Sequence, residues 1–203
     1  MIWWSAPRMW PGETVAILGG GTSLTREDVE SLRGRCRVIA INDAYLLAPF
    51  ADVLYFCDER WFNWHKGRPE FKAFTGLRVT LDNEALPAHS LHNMGTDGLQ
   101  LCPSGLATGR NGGIQAINLA FHFGVGTILL LGFDMRPGHW HGGHPAPTRE
   151  QVYQESMLPK FPAVAQALER AGVTVINCTP GSALDVWPRM RLADALESHQ
   201  HPL

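Results

Sequence analysis

Three histidines lie close together in a segment rich in glycine and proline. The sequence RPGHWHGGHPAPT contains His139, His141 and His144. Imidazoles at this spacing could bind a metal ion, and Asp58 or Asp134 could complete such a site. Alternatively, one neutral histidine could take a proton from an acceptor hydroxyl, since imidazole titrates near neutral pH. A polar surface loop without chemistry is the third interpretation, and the sequence leaves all three open.

A glycine-rich turn near the start of the chain is a candidate site for a phosphate or a sugar. It follows a short β-rich run, Thr14 to Leu18, and precedes a predicted helix, Thr25 to Leu32. The residues of the turn are Gly19, Gly20, Gly21, Thr22 and Ser23. Missing Cβ atoms let backbone N–H groups approach a ligand closely. The turn lacks the lysine of a P-loop and the full GxGxxG spacing, and purely structural glycine turns are also common.

A second candidate anion site begins the central helix of the chain. Asn111 is a good N-cap, and Gly112 and Gly113 leave the first N–H groups of the helix uncovered. The helix predicted from Ile114 to Phe123 is apolar over most of its surface, as in a helix packed under other structure. The apolar run Thr127 to Leu131 then reads as a buried parallel strand, and Asp134 follows it as a candidate catalytic carboxylate.

The central helix also carries one polar stripe. Asn111, Gln115, Asn118 and His122 recur at spacings of three and four residues. The stripe could face a ligand cleft, or it could be the solvated edge of the helix.

Polar residues follow the other predicted strands in the same way. Arg37 to Ile41 ends at Asn42 and Asp43, Val53 to Cys57 ends at Asp58, Leu77 to Leu81 is a fourth strand, and Val173 to Asn177 precedes Thr179, Gly181 and Ser182. Strands that alternate with helices predict a Rossmann-like α/β fold, with a mostly parallel sheet and helices on both faces. Ligands bind such sheets outside the carboxyl ends of the strands, so these residues are candidate nucleotide contacts.

The remaining segments predict further parts of a single domain, residues 1–203. Aromatic residues in Arg60 to Phe74 predict one or two short helices over a satellite core. Residues 82–109 are irregular, with a candidate strand at Leu99 to Cys102, and are predicted to form a wall or lid. Residues 135–149 form the histidine loop. Glu150 to Ala171 is predicted as a helix interrupted by prolines, and Arg191 to Glu197 as a final helix.

Composition limits the classes of partner. The formal net charge is −2, and the 17 Lys and Arg residues are scattered, so bulk-charge binding to nucleic acid is not expected. The four cysteines form no CxxC pair, which favours reduced thiols and a cytoplasmic location. No run approaches the roughly 18 apolar residues of a membrane span. The sequence gives no indication of oligomeric state.

Five segments resemble a known family. They are ILGGGTSL from Ile17, AINDAY from Ala40, NGGIQAINL from Asn111, LLGFDM from Leu130 and INCTPGSAL from Ile176. Together they look like uncharacterised bacteriophage and prophage proteins of the group similar to archaeal 6-hydroxymethylpterin diphosphokinases, the MptE-like group. That group is more distantly similar to bacterial CMP-sialic-acid sialyltransferases. The resemblance runs from about Thr14 to Leu196.

This resemblance implies a nucleotide or nucleotide-sugar as the donor ligand and a histidine after the central strand as general base. The nucleotide would contact Gly20, Gly21, Asn42 and Asn111, and the base would be His139, His141 or His144. We therefore expect a glycosyltransferase-like enzyme. An Mg²⁺-dependent diphosphokinase that uses ATP is one alternative, with carboxylates as metal ligands. A non-catalytic nucleotide-binding or virion-associated protein is another.

Overall fold

A single parallel sheet organises the chain. The computed structural model describes residues 3–82, 88–145 and 147–198. Its eight strands are β1 (Thr14–Leu18), β2 (Arg37–Ile41), β3 (Val53–Tyr55), β4 (Leu77–Leu81), β5 (His89–Asn93), β6 (Gly105–Leu106), β7 (Thr127–Leu131) and β8 (Thr174–Asn177). All pairings are parallel, in the order β6-β5-β4-β3-β2-β1-β7-β8. The predicted Rossmann-like α/β fold is confirmed.

The strand order reverses direction at β1. From β1 the chain builds outward through β2 to β6, and then returns to place β7 on the other side of β1. The register pairs Leu18 with Leu131, so β1 and β7 end at the same level. The helices that follow the two strands leave on diverging paths at such a point, which opens a crevice at the carboxyl ends. The β1/β7 switch point is therefore where the fold predicts a ligand.

Helices cover both faces of the sheet. They are α1 (Arg26–Ser31), α2 (Glu59–His65), α3 (Pro69–Ala73), α4 (Gly112–Phe123), α5 (Glu150–Val152), α6 (Phe161–Arg170) and α7 (Leu192–Ser198). Strand residues alternate between two cores: Val15 and Ile17 pack with α4 and α6, whereas Ala16 and Leu18 pack with α1, α2, α3 and α7. Among the described residues, no helix has the length and apolarity needed to cross a bilayer.

Two local predictions need correction. Leu99 to Cys102 does not form a strand. The strands of this region are β5 and β6, and the segment lies between them. The interrupted helix from Glu150 divides into α5, a π-helical segment (Tyr153–Met157), a 3₁₀ turn (Leu158–Lys160) and α6. Proline has no N–H to donate, so Pro159 and Pro162 permit only the first turn of a new helix at each point.

The polar stripe on α4 is not a solvated edge. Asn118 is fully buried; its Oδ1 accepts from the N–H groups of Gln100 and Ala107, and its Nδ2 donates to the Gln100 carbonyl. Gln115 donates to the Thr108 carbonyl in the same way. The stripe therefore anchors the described part of residues 82–109 along the β6 edge of the sheet, and residues 83–87 lie outside the described residues.

Candidate functional site

A cavity of about 200 Å³ opens at the β1/β7 switch point. Its wall combines the ends of β1, β2 and β7 with the start of α4, the histidine loop and the π-helical segment. The lining residues are Gly19, Gly20, Gly21, Ile41, Asn42, Asn111, Gly112, Gly113, Gly132, Phe133, Met135, Arg136, Gly138, His139, His144, Tyr153 and Met157. Ligand sites of doubly wound sheets occupy this position.

The glycine turn is held tightly against the end of β7. Gly19 and Gly21 donate their N–H groups to the carbonyls of Leu131 and Gly132, at 2.7 and 2.9 Å. A Cβ atom on Gly21 would overlap the Asp134 carboxylate, so the turn requires glycine there for packing. Of the three glycines, all within the described residues, only Gly20 donates its N–H to no backbone carbonyl, so the turn contributes close approach more than a cradle of donors.

Asp134 fixes the turn instead of facing the cavity. Its Oδ1 accepts from the Ser23 N–H and the Thr22 hydroxyl, both at 3.1 Å, and its Oδ2 accepts from the Ser23 hydroxyl at 2.7 Å. The lining of the cavity does not include Thr22, Ser23 or Asp134, although all three were predicted as site residues. Their role in the structure is to position the glycines.

The start of α4 presents a site for an anion. Asn111 Oδ1 caps the helix by accepting from the Ile114 N–H at 2.9 Å. The N–H groups of Gly112 and Gly113 have no acceptor within the helix, and both glycines line the cavity. Helix dipole and free N–H groups together favour negative charge at this point. The exposed Arg136 adds a guanidinium to the same cavity.

Asn42 brings an unpaired acceptor to the cavity. Its Oδ1 is buried and has no hydrogen-bond partner among the described residues. Its backbone φ of 49° lies in the left-handed region, as does the φ of 53° at Met135, another lining residue. Such conformations are uncommon outside glycine and concentrate at functional sites. A ligand that donates a hydrogen bond to Asn42 would relieve the cost of burying an unpaired oxygen.

The histidine loop folds back over the end of β1. The Gly142 N–H donates to the His139 carbonyl to close a turn, and the Trp140 N–H donates to the Gly20 carbonyl. Gly138 and Gly142 have φ values of 117° and 67°, which residues with a Cβ atom rarely adopt. The rings of His139 and His141 are 4.0 Å apart between centroids, and His144 stacks at 5.1 Å from His139.

A buried carboxylate receives this loop. The Asp43 Oδ2 lies 2.6 Å from His141 Nε2, while Oδ1 accepts from Trp61 Nε1 at 2.6 Å and lies 3.0 Å from His65 Nε2. The Tyr45 hydroxyl lies 2.9 Å from His65 Nδ1 and completes the network. Asp43 was predicted to contact the nucleotide, but the residue is only 6% exposed and lies outside the lining.

Opposing effects set the charge states of this network. Burial raises the pKa of the Asp43 carboxyl, but hydrogen bonds from His65, Trp61 and His141 outweigh burial and hold the pKa well below its usual value. Burial, with smaller contributions from the nearby His141 and His144, lowers the pKa of His139 to about 4. At neutral pH Asp43 is therefore ionised and His139 is neutral.

A second cavity of about 210 Å³ shares part of its lining with the first. Gly138, His139, His144 and Tyr153 line both cavities. Gly142, Pro147 and Thr148 complete the wall of the second. Two ligands bound in these cavities would meet at the imidazoles of His139 and His144.

The structure brings together nine of the predicted site residues in the lining of the first cavity. These are Gly19, Gly20, Gly21, Asn42, Asn111, Gly112, Gly113, His139 and His144. His141 is adjacent, but its two ring nitrogens face Asp43 and the Gly143 N–H.

Four other predicted residues lie away from the cavity. Asp58 caps α2 by accepting from the Arg60 N–H. The Thr179 hydroxyl accepts from the Phe133 N–H, and the Ser182 hydroxyl donates to the Phe133 carbonyl. Gly181, in the turn between them, has a φ of 64°. Thr179, Gly181 and Ser182 join the ends of β7 and β8. Neither they nor Asp58 line the first cavity, and their contacts to a nucleotide stay predictions.

Several residues of the site were not predicted from the sequence. Arg136, Tyr153 and Met157 line the first cavity, and His65 holds Asp43. A π-helical segment at Tyr153–Met157 is the local signal, since such segments often occur at functional sites, but the sequence pattern alone does not distinguish it from an α-helix.

No family model, curated protein or solved structure matches the chain. The resemblance to the MptE-like group and to the sialyltransferases therefore stays a prediction, and the functional argument depends on the geometry of the site.

Proposed function

We propose that this protein is a transferase that binds a nucleotide or nucleotide-sugar at the β1/β7 switch point. The observation that carries the proposal is a convergence on one cavity: the Gly19–Gly21 turn, the first turn of α4 and Asn42, whose Oδ1 has no partner among the described residues, all line it. Free N–H groups suit a phosphate, and an unpaired amide oxygen suits a ribose hydroxyl or a base amino group.

Charge, a hydrogen bond and apolar packing orient the donor in this proposal, and the volume of the cavity limits its size. Its phosphate lies against the N–H groups of Gly112 and Gly113, with Arg136 as the counter-charge. Its ribose or base donates to Asn42 and packs against the apolar side chains of Ile41 and Phe133, which also line the cavity. At about 200 Å³ the cavity is small for a drug-sized ligand, so a mononucleotide fits this proposal better than a dinucleotide.

His144 is the general base in this proposal. It lines both cavities, so it lies between a donor in the first and an acceptor in the second. Its imidazole takes the proton of an acceptor hydroxyl, the acceptor oxygen bonds to the transferred sugar carbon, and the nucleotide leaves with the electron pair of the broken C–O bond. His141 is a weaker candidate because it lines neither cavity.

The Mg²⁺-dependent diphosphokinase alternative receives less support from the geometry. It needs carboxylate oxygens that face the donor phosphates. The oxygens of Asp134 accept from Thr22 and Ser23, and Asp58 caps α2.

A thermal-shift screen with nucleotides and nucleotide-sugars, with and without Mg²⁺, tests the proposal. A ligand at one hundred times its Kd adds about 2.7 kcal/mol to the free energy of unfolding. We expect stabilisation without metal by one class of nucleotide, followed by transfer or hydrolysis of its sugar conjugate. A response to ATP only with Mg²⁺ would favour the diphosphokinase, binding without turnover would favour a non-catalytic protein, and no response to any nucleotide would reject the proposal.

A further inference from the structure

We propose that Asp43, His139 and His141 form a binding site for a divalent transition-metal ion of the zinc class. This inference goes beyond the proposed function and does not depend on it. Each of the three residues offers one ligand atom, and these atoms all lie within 4.8 Å of one another. Sequence analysis placed Asp58 or Asp134 beside the histidines, whereas the structure places Asp43 there.

The set of donors selects the class of metal. Two imidazoles and one carboxylate form the ligand set of many catalytic zinc sites, which leave the fourth position to water or substrate. Mg²⁺ and Ca²⁺ prefer oxygen ligands and are poorly served by imidazole nitrogens. The site therefore favours a zinc-class ion over the Mg²⁺ of the diphosphokinase alternative.

The distances require only a small adjustment of the loop. Zinc bonds of about 2.0–2.2 Å hold tetrahedral ligand atoms roughly 3.4 Å apart. Asp43 Oδ2 and His141 Nε2 are closer than this, at 2.6 Å, because they share a hydrogen bond in the absence of an ion. Gly138 and Gly142 flank the two histidines. They give the loop the freedom to lengthen the distance between these two atoms from 2.6 Å to about 3.4 Å.

Asp43 is already oriented as a monodentate ligand. Its Oδ1 is held by Trp61 Nε1 and His65 Nε2, so only Oδ2 faces the histidine loop. His65 is fixed in turn by the Tyr45 hydroxyl. Partners of this kind orient metal-ligating side chains, and their loss typically weakens metal binding 10- to 100-fold.

His139 supplies an independent observation. Its Nδ1 is buried and has no hydrogen-bond partner among the described residues. A buried nitrogen without a partner is unfavourable unless a ligand satisfies the ring. Metal coordination would fix the orientation and tautomer of this imidazole.

Cobalt binding tests the site without any nucleotide. The protein is treated with a chelator, returned to metal-free buffer and titrated with Co²⁺, whose visible absorption reports tetrahedral coordination by nitrogen and oxygen. We expect saturation at one equivalent and displacement by Zn²⁺. His139→Gln and His141→Gln should each weaken Co²⁺ binding by roughly 100-fold or more, and Trp61→Phe, which removes one donor to Asp43, by about 10-fold.

His92→Gln is the matched control. His92 and Asp82 form another imidazole–carboxylate pair at 3.0 Å, but they are exposed and belong to no three-ligand cluster among the described residues. This variant should bind Co²⁺ as tightly as the unmodified chain. Absence of a cobalt spectrum at millimolar Co²⁺, or a spectrum unchanged in a folded His139→Gln variant, would overturn the site. Neither result would bear on the proposed nucleotide site, which the thermal-shift screen tests separately.

Discussion

His141 Nε2 lies 2.6 Å from Asp43 Oδ2, although 98 positions separate the two residues in the sequence. This contact ties the histidine loop to the end of β2 and sets the position of the wall between the two cavities. Asp43 is in turn held by side chains from α2. The loop is therefore a positioned element of the site, and its geometry leads to specific predictions.

Gly20→Ala should weaken nucleotide binding. A Cβ atom at this position would lie 2.7 Å from His139 Nε2, so the ring must move and the wall of the cavity changes. We expect Kd for the stabilising nucleotide to rise roughly tenfold or more, about 1.4 kcal/mol, by isothermal titration calorimetry. Gly67→Ala is the control, because nothing lies within 4 Å of its Cβ. Equal affinity in both variants would place the ligand elsewhere.

Asn42→Gly should reduce affinity while preserving stability. Glycine accepts the φ of 49°, and the lost Oδ1 has no partner among the described residues. Loss of one hydrogen bond to the ligand costs about 0.5–1.5 kcal/mol, roughly 2- to 13-fold in Kd. The exposed Asn63→Ala should bind normally. A large fall in melting temperature together with unchanged Kd would show that Asn42 supports the fold and not the ligand.

His144→Gln should lower turnover without lowering donor affinity. A general base typically contributes about 10²- to 10⁴-fold to the rate. We expect kcat to fall within this range and the donor Kd to change much less, because the proposed donor contacts are Gly112, Gly113, Arg136 and Asn42 and not His144. His92→Gln, at a distant exposed histidine, should keep full kcat. Full turnover by His144→Gln would remove His144 from the mechanism.

The pH dependence of stability should contain a contribution from His139. Its pKa falls to about 4 in the folded chain, from about 6.5 when unfolded. Between these values the unfolded chain binds more protons, so the free energy of unfolding falls as pH falls from about 6.5 to 4. Below about pH 4 Asp43 adds a loss of the same sign, because its folded pKa is depressed. His139→Gln should show a shallower decline between pH 6.5 and 4 in thermal melts; an unchanged slope would contradict the burial of this imidazole.

Local sequence patterns predicted the sheet and the glycines of the site because both follow short-range rules. Apolar runs that end in polar residues mark the carboxyl ends of parallel strands, which is how Asn42 was found. Asn111 was found as an N-cap that precedes two glycines. The hydrogen-bond partners of Asp43 could not be predicted from such local patterns. They come from α2 and the histidine loop, and only the packed structure brings those segments together.

The polar residues of α4 show the same limit. Gln115 and Asn118 have the spacing of an exposed stripe, but both pair with backbone groups of an irregular segment, and Gln115 also accepts from the Tyr55 hydroxyl. Periodicity shows that such residues share a face of the helix. It does not show whether their hydrogen-bond partners are water molecules or the backbone of another segment.

The most direct test of the central claim is an amide NMR titration with the nucleotide that stabilises the protein most. Phosphate binding at the start of α4 predicts large downfield shifts of the Gly112 and Gly113 N–H resonances, with smaller changes at Gly20 and Asn42. Saturable shifts at these residues would support a nucleotide site at the β1/β7 switch point. Shifts confined to another region, such as the cavity lined by Thr179 and Arg189, would contradict it.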